Sequence, residues 1–94
     1  MKENCLSTAF FAFLRRAPQG VQNCFDVESR KLDTDALERY LGFASSGEAV
    51  LARFFASVWC RSNDDFDFDV LDVGRLDYEQ RQIISDWVLN PIWP

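Results

Sequence analysis

The sequence contains no histidine, which removes the commonest general base, the commonest metal ligand and the usual activator of a nucleophilic Cys or Ser. Cysteine is scarce. Cys5, Cys24 and Cys60 are widely spaced and form no Cys-x-x-Cys pair, too little for a disulfide scaffold or a zinc site. Each is expected to serve as a small buried or half-buried hydrophobe in a reducing compartment, which places the chain in the cytoplasm. Long apolar runs are missing too: Arg, Asp or Glu interrupts every candidate well short of the ~20 residues that cross a bilayer. Residues 6–14 are apolar and follow Lys2, as in a signal peptide. They run into Arg15-Arg16-Ala17-Pro18 without a small-x-small cleavage pattern, so an amphipathic helix is the expectation.

What is present is core material. Hydrophobic residues make up 48% of the 94 and include nine Phe, enough for one folded domain over residues 1–94 and too much for a disordered chain. The formal charge is −5, unevenly spread. Residues 1–47 balance Glu3, Asp26, Glu28, Asp33, Asp35 and Glu38 against Lys2, Arg15, Arg16, Arg30, Lys31 and Arg39. The remainder carries the whole excess, and Asp64, Asp65, Asp67, Asp69 and Asp72 fall between Arg61 and Arg75 with no base among them. Such a cluster repels nucleic acid and anionic lipid and attracts a basic protein surface.

Apolar spacing predicts the elements. Leu6, Ala9, Phe10, Phe13 and Leu14 mark one helical stripe. Asn4 or Ser7 would cap its start, and Pro18 would stop the chain beyond it. Phe11 lies off the stripe, either on a wide buried face or free for a partner. Val21, Phe25 and Val27 alternate with Asn23 as in a strand. Asp33 or Thr34 caps a short helix through Leu41, with Gly42 suited to a left-handed position beyond it. Ser45 and Glu48 have capping-box spacing before the strongest stripe, Val50, Leu51, Phe54, Phe55, Val58 and Trp59, expected to form the central helix. In residues 66–73, Phe66, Phe68 and Val70 alternate with Asp67 and Asp69 as in a strand, while Phe66, Val70 and Val73 also fit a helix; without strand pairing, this segment and residues 21–27 would be loops or short turns of helix. Asp77 and Gln80 open a last helix with the stripe Ile83, Ile84, Trp87 and Val88, closed by Asn90-Pro91.

The expected class is therefore mostly α, a single-domain bundle of about four helices. The alternative is α+β, with residues 21–27 and 66–70 paired as a two-stranded antiparallel hairpin. The core is expected to hold Phe10, Phe13, Leu37, Leu41, Leu51, Phe54, Phe55, Val58, Ile84 and Trp87.

Chemistry-bearing motifs are few. Asp65-x-Asp67-x-Asp69 begins like a calcium loop, but Val70 stands where that loop has its turn glycine and Leu76 where it has its clamping Glu. Carboxylate-only catalysis needs a concave site holding two acids in different environments. No catalytic residue, metal or cofactor is assigned. The sequence points to a protein that works by binding another, with Asp64, Asp65, Asp67, Asp69 and Asp72 as the partner-binding residues and a protein with a basic surface as the partner. It implies neither direct nucleic-acid binding nor membrane binding. The alternative is a structural or regulatory subunit that buries Phe11 or Ile92-Trp93 against a second copy or a partner helix.

From Ser45 onward the chain resembles the C-terminal part of short bacterial or mobile-element reading frames of unknown function. The resemblance is carried by Ser45-Ser46-Gly47-Glu48, the apolar helix through Trp59, Leu71-Asp72, Leu76-Asp77-Tyr78-Glu79-Gln80-Arg81, Trp87 and Trp93. It implies a bacterial or phage origin and a helical second half. In size and acidity the chain is similar to anti-CRISPR inhibitors, some of which imitate the charge of nucleic acid; that analogy implies inhibition of a nucleic-acid-handling protein.

Overall fold

A computed structural model describes the backbone from Asn4 and the side chains from Thr8 to Pro94. Five α-helices, a two-stranded hairpin and one 3-10 helix follow in the order α1 (Asn4–Leu14), α2 (Gln19–Gln22), β1 (Phe25–Asp26), β2 (Lys31–Leu32), α3 (Thr34–Leu41), α4 (Ser46–Cys60), the 3-10 helix (Val70–Arg75) and α5 (Tyr78–Leu89). The fold is mostly helical, as the spacing predicts.

Helix α4 is the centre. Its capping box forms as expected: Glu48 N–H donates to Ser45 Oγ and Ser45 N–H to Glu48 Oε1, both at 3.2 Å. Val50, Leu51, Phe54, Phe55 and Val58 are all buried along it. Helix α1 packs on it through aromatic contacts, Phe10 with Phe55 and Trp59, and Phe13 with Phe55. Helix α5 packs through Trp87, whose ring meets Phe54 edge-on at 5.5 Å. Of the expected core, Phe10, Leu37, Leu51, Phe54, Phe55, Val58 and Ile84 are buried, while Phe13, Leu41 and Trp87 are half-buried against them.

Several expectations need correction. Residues 21–27 do not pair with 66–70. The hairpin is local, Phe25 opposite Leu32 and Asp26 opposite Lys31, because Asp26 Oδ1 accepts the N–H groups of Glu28 and Ser29 and folds the chain straight back. Arg30 takes the left-handed conformation that completes the turn. The front of the expected strand winds instead into α2, where the Pro18 carbonyl accepts from Val21 and Gln22, and Val27 is left exposed. Gly42 stays right-handed at φ −72°, since the end of α3 tightens through bonds from Gly42 to Arg39 and from Phe43 to Tyr40. Val88, expected on the inner stripe, is 61% exposed: α5 turns Ile83, Ile84 and Trp87 to the core. The side chains of Asn4 and Ser7, expected to cap α1, lie outside the described residues, as do those of Cys5 and Leu6.

Candidate functional site

The acidic segment begins where α4 ends. Arg61 closes that helix in the left-handed conformation, φ 52°, and the chain enters a loop built around Asn63. The Asn63 Oδ1 accepts the Phe68 N–H at 2.6 Å and the Ser57 hydroxyl at 3.0 Å, and its Nδ2 donates to the Phe68 carbonyl at 2.6 Å. The Arg53 guanidinium donates to the Phe66 carbonyl at 2.9 Å, and Asp67 turns the chain at φ 55°. A six-residue loop is thus closed on itself by one side chain and moored to α4 by two others. This is why residues 66–70 extend no sheet: the Phe66 carbonyl, both backbone groups of Phe68 and the Asp69 carbonyl are bonded to Arg53, Asn63 and Asp72 instead of a strand.

The closed loop sorts its side chains. Phe66 and Phe68 are half-buried and packed against the core, the Phe68 ring meeting Phe54 edge-on at 5.4 Å. Asp64, Asp65 and Asp67 face solvent. The strand-like alternation of Phe and Asp is therefore a real in–out pattern, produced by a loop. Asp69 is exposed too, but its carboxylate accepts the Leu71 N–H at 2.9 Å and caps the 3-10 helix. Asp72 is half-buried and ion-paired to Arg75 at 3.4 Å. The five predicted site residues thus divide into three free carboxylates, one cap and one ion pair. Beside them, Val70 and Leu71 stand 69% and 82% exposed, a feature hidden in the sequence because the ambiguous period of residues 66–73 placed Val70 on an inner face.

Two hollows flank this loop. One, of about 370 Å³, is bordered by Asn63, Asp67, Phe68, Asp69 and Val70. The other, of about 260 Å³, is lined by Phe54, Ser57, Val58, Arg61, Ser62, Asn63, Phe68, Trp87 and Trp93. Among the described residues, no group of three His, Cys, Asp or Glu side chains is placed to hold a metal ion. Burial pushes the Cys24 thiol up from its ordinary value. Cys60, at the end of α4, is exposed and not buried or half-buried as expected; the little burial its thiol has, followed by the Asp65 carboxylate, pushes it up as well, so both thiols stay protonated and weakly nucleophilic at neutral pH.

Phe11, considered for a partner, is only 6% exposed because Phe10 and Trp59 cover it at ring separations of 5.6 and 5.5 Å. Ile92 is drawn in by its carbonyl, which accepts from Trp87 Nε1 at 2.9 Å. No described helix is long and apolar enough to cross a membrane. In comparisons with known proteins, the chain matches no family model, no curated protein and no solved structure.

Proposed function

We propose that the protein is a non-catalytic binding module of the cytoplasm that docks its acidic loop onto a basic protein surface. In the sharpest form of this reading it inhibits a nucleic-acid-handling protein by occupying the groove that receives phosphates. The supporting observation is the closed loop itself. It holds Asp64, Asp65 and Asp67 outward, with Val70 and Leu71 exposed beside them, which combines long-range attraction with apolar surface to bury on contact. With anti-CRISPR inhibitors the chain shares small size and acidity, and the reading takes that analogy as its model. The comparison that tests it is capture from a bacterial lysate at low and high salt by the native chain and by an Asp64→Asn, Asp65→Asn, Asp67→Asn variant. A basic protein retained by the native chain at low salt, and lost by the variant, is the expected result. Identical captured sets would refute the reading.

A further inference from the structure

We propose that the 260 Å³ hollow beside the acidic loop is an anchor pocket, which takes one large apolar side chain carried on a lysine- and arginine-rich segment of a protein partner. The proposal rests on the acidic-surface reading and adds to it where specificity lies. The walls are Phe54, Val58, Phe68, Trp87 and Trp93, with Arg61 to one side. Four rings form a chain of edge-on contacts: Phe68 to Phe54 at 5.4 Å, Phe54 to Trp87 at 5.5 Å and Trp87 to Trp93 at 5.1 Å.

Most polar groups at the walls are already engaged. Trp87 Nε1 donates to the Ile92 carbonyl, Ser57 Oγ donates to Asn63, and Asn63 is bonded to both backbone groups of Phe68. The Arg61 guanidinium lies over the Trp93 ring, 5.5 Å from its centroid. An occupant is therefore held by carbon contact and exclusion of water, which selects an apolar side chain. The same bonds fix Phe68 and Trp87 in place, so the pocket is formed before anything enters it.

The carrier follows from charge. Asn63 and Phe68 border both this pocket and the hollow lined by Asp67 and Asp69, so one wall separates the apolar cavity from the carboxylates. A segment that seats its anchor on one side lays its neighbouring residues against the acids on the other. A second copy of the chain carries a net −5 and has no basic run longer than the pairs Arg15-Arg16 and Arg30-Lys31, and nucleic acid and anionic lipid are repelled by the carboxylates. A basic segment with one apolar residue is the occupant that the carboxylates attract and the apolar cavity accepts, the Arg61 charge at the pocket's side being held over the Trp93 ring and against the Pro94 carbonyl.

The test titrates the whole chain with two synthetic peptides, Lys-Arg-Lys-Leu-Arg-Lys and the same peptide with Gly for Leu, and follows the tryptophan emission, in which Trp87 and Trp93 line the pocket and Trp59 is a constant background. The Leu peptide should bind about tenfold more tightly than the Gly peptide and alone shift the emission. Trp93→Ala should bring the Leu peptide down to the Gly level, while the peptide comparison on the native chain needs no variant. In the Asp64→Asn, Asp65→Asn, Asp67→Asn variant both peptides should weaken together with their ratio kept. Equal affinity of the two peptides for the native chain, with both weakened in that variant, would overturn the anchor pocket and leave the acidic reading standing. A preserved ratio with no weakening would overturn the acidic reading and the basic carrier with it. Binding of neither peptide would overturn both.

Discussion

At the scale of single residues, two aromatic side chains show how burial sets energy. Phe54 is 4% exposed and touches Phe55, Phe68 and Trp87 at ring separations of 5.4 to 5.5 Å, so it joins α4 to the acidic loop and to α5. Phe54→Ala should cost about 3–5 kcal/mol in urea melts, the lost burial plus the cavity left behind. Tyr40 gives a pH signature. Burial first, and the Glu48 carboxylate second, push its phenol up to about 12 from 10.0. Below the ordinary value both folded and unfolded chains keep the proton, and stability is unaffected. Between the two values the unfolded chain ionises Tyr40 and the folded one does not, so stability falls as pH rises, by up to about 2–3 kcal/mol. Tyr40→Phe should flatten that part of the alkaline stability curve. An unchanged alkaline slope in the Phe variant would place the effect elsewhere.

At the scale of elements, the Asn63 loop carries the most testable geometry. Asn63→Ala removes the acceptor of the Phe68 N–H and the donor to its carbonyl, and should cost about 1–2 kcal/mol because the loop is near solvent and water replaces part of the loss. The sharper readout is local: hydrogen exchange at the Phe68 amide should quicken far more than exchange at the buried amides of α4. The same loop shows where sequence reasoning ran out. Helices α4 and α5 were legible because Ser45/Glu48 and Asp77/Gln80 are short-range chemistry, and both capping boxes form. The central stripe was legible because a 3.6-residue period needs only neighbours on one face. Residues 21–27 and 66–73 were not, since each is governed by a side chain outside its own apolar pattern: Asp26 folding the hairpin on itself, Asn63 closing the loop. Of the candidate site, the exposure of Asp64, Asp65 and Asp67 could be read from the sequence. The capping by Asp69 and the pairing of Asp72 with Arg75 span only two and three residues and were hidden by the ambiguous period of residues 66–73, whereas the aromatic pocket could not be read because Trp87, Trp93 and Phe54 meet only through the tertiary fold.

For the whole molecule, the charge excess of the second half is what stability and association share. Asp72 is paired with Arg75, and Asp86 with Arg16 at 2.9 Å, which ties the end of α1 to α5. Gln82, and then Arg16, hold the Asp86 carboxyl below its ordinary value. Among the described residues no ion pair involves Asp64, Asp65 or Asp67, so their mutual repulsion is relieved only by solvent and salt. Changing these three to Asn keeps every described hydrogen bond of the loop, because none uses their side chains, and Asn tolerates the left-handed conformation of residue 67. The variant should therefore fold, and at low ionic strength it should be more stable than the native chain by about 0.5 kcal/mol. That part of the gain should vanish near 1 M salt, where the screening length is about 3 Å. Paired urea melts at the two salt concentrations measure it. A gain of equal size in both would mean that the three carboxylates do not repel one another through the folded chain, and it would remove the reason to expect that their combined field speeds encounter with a basic partner.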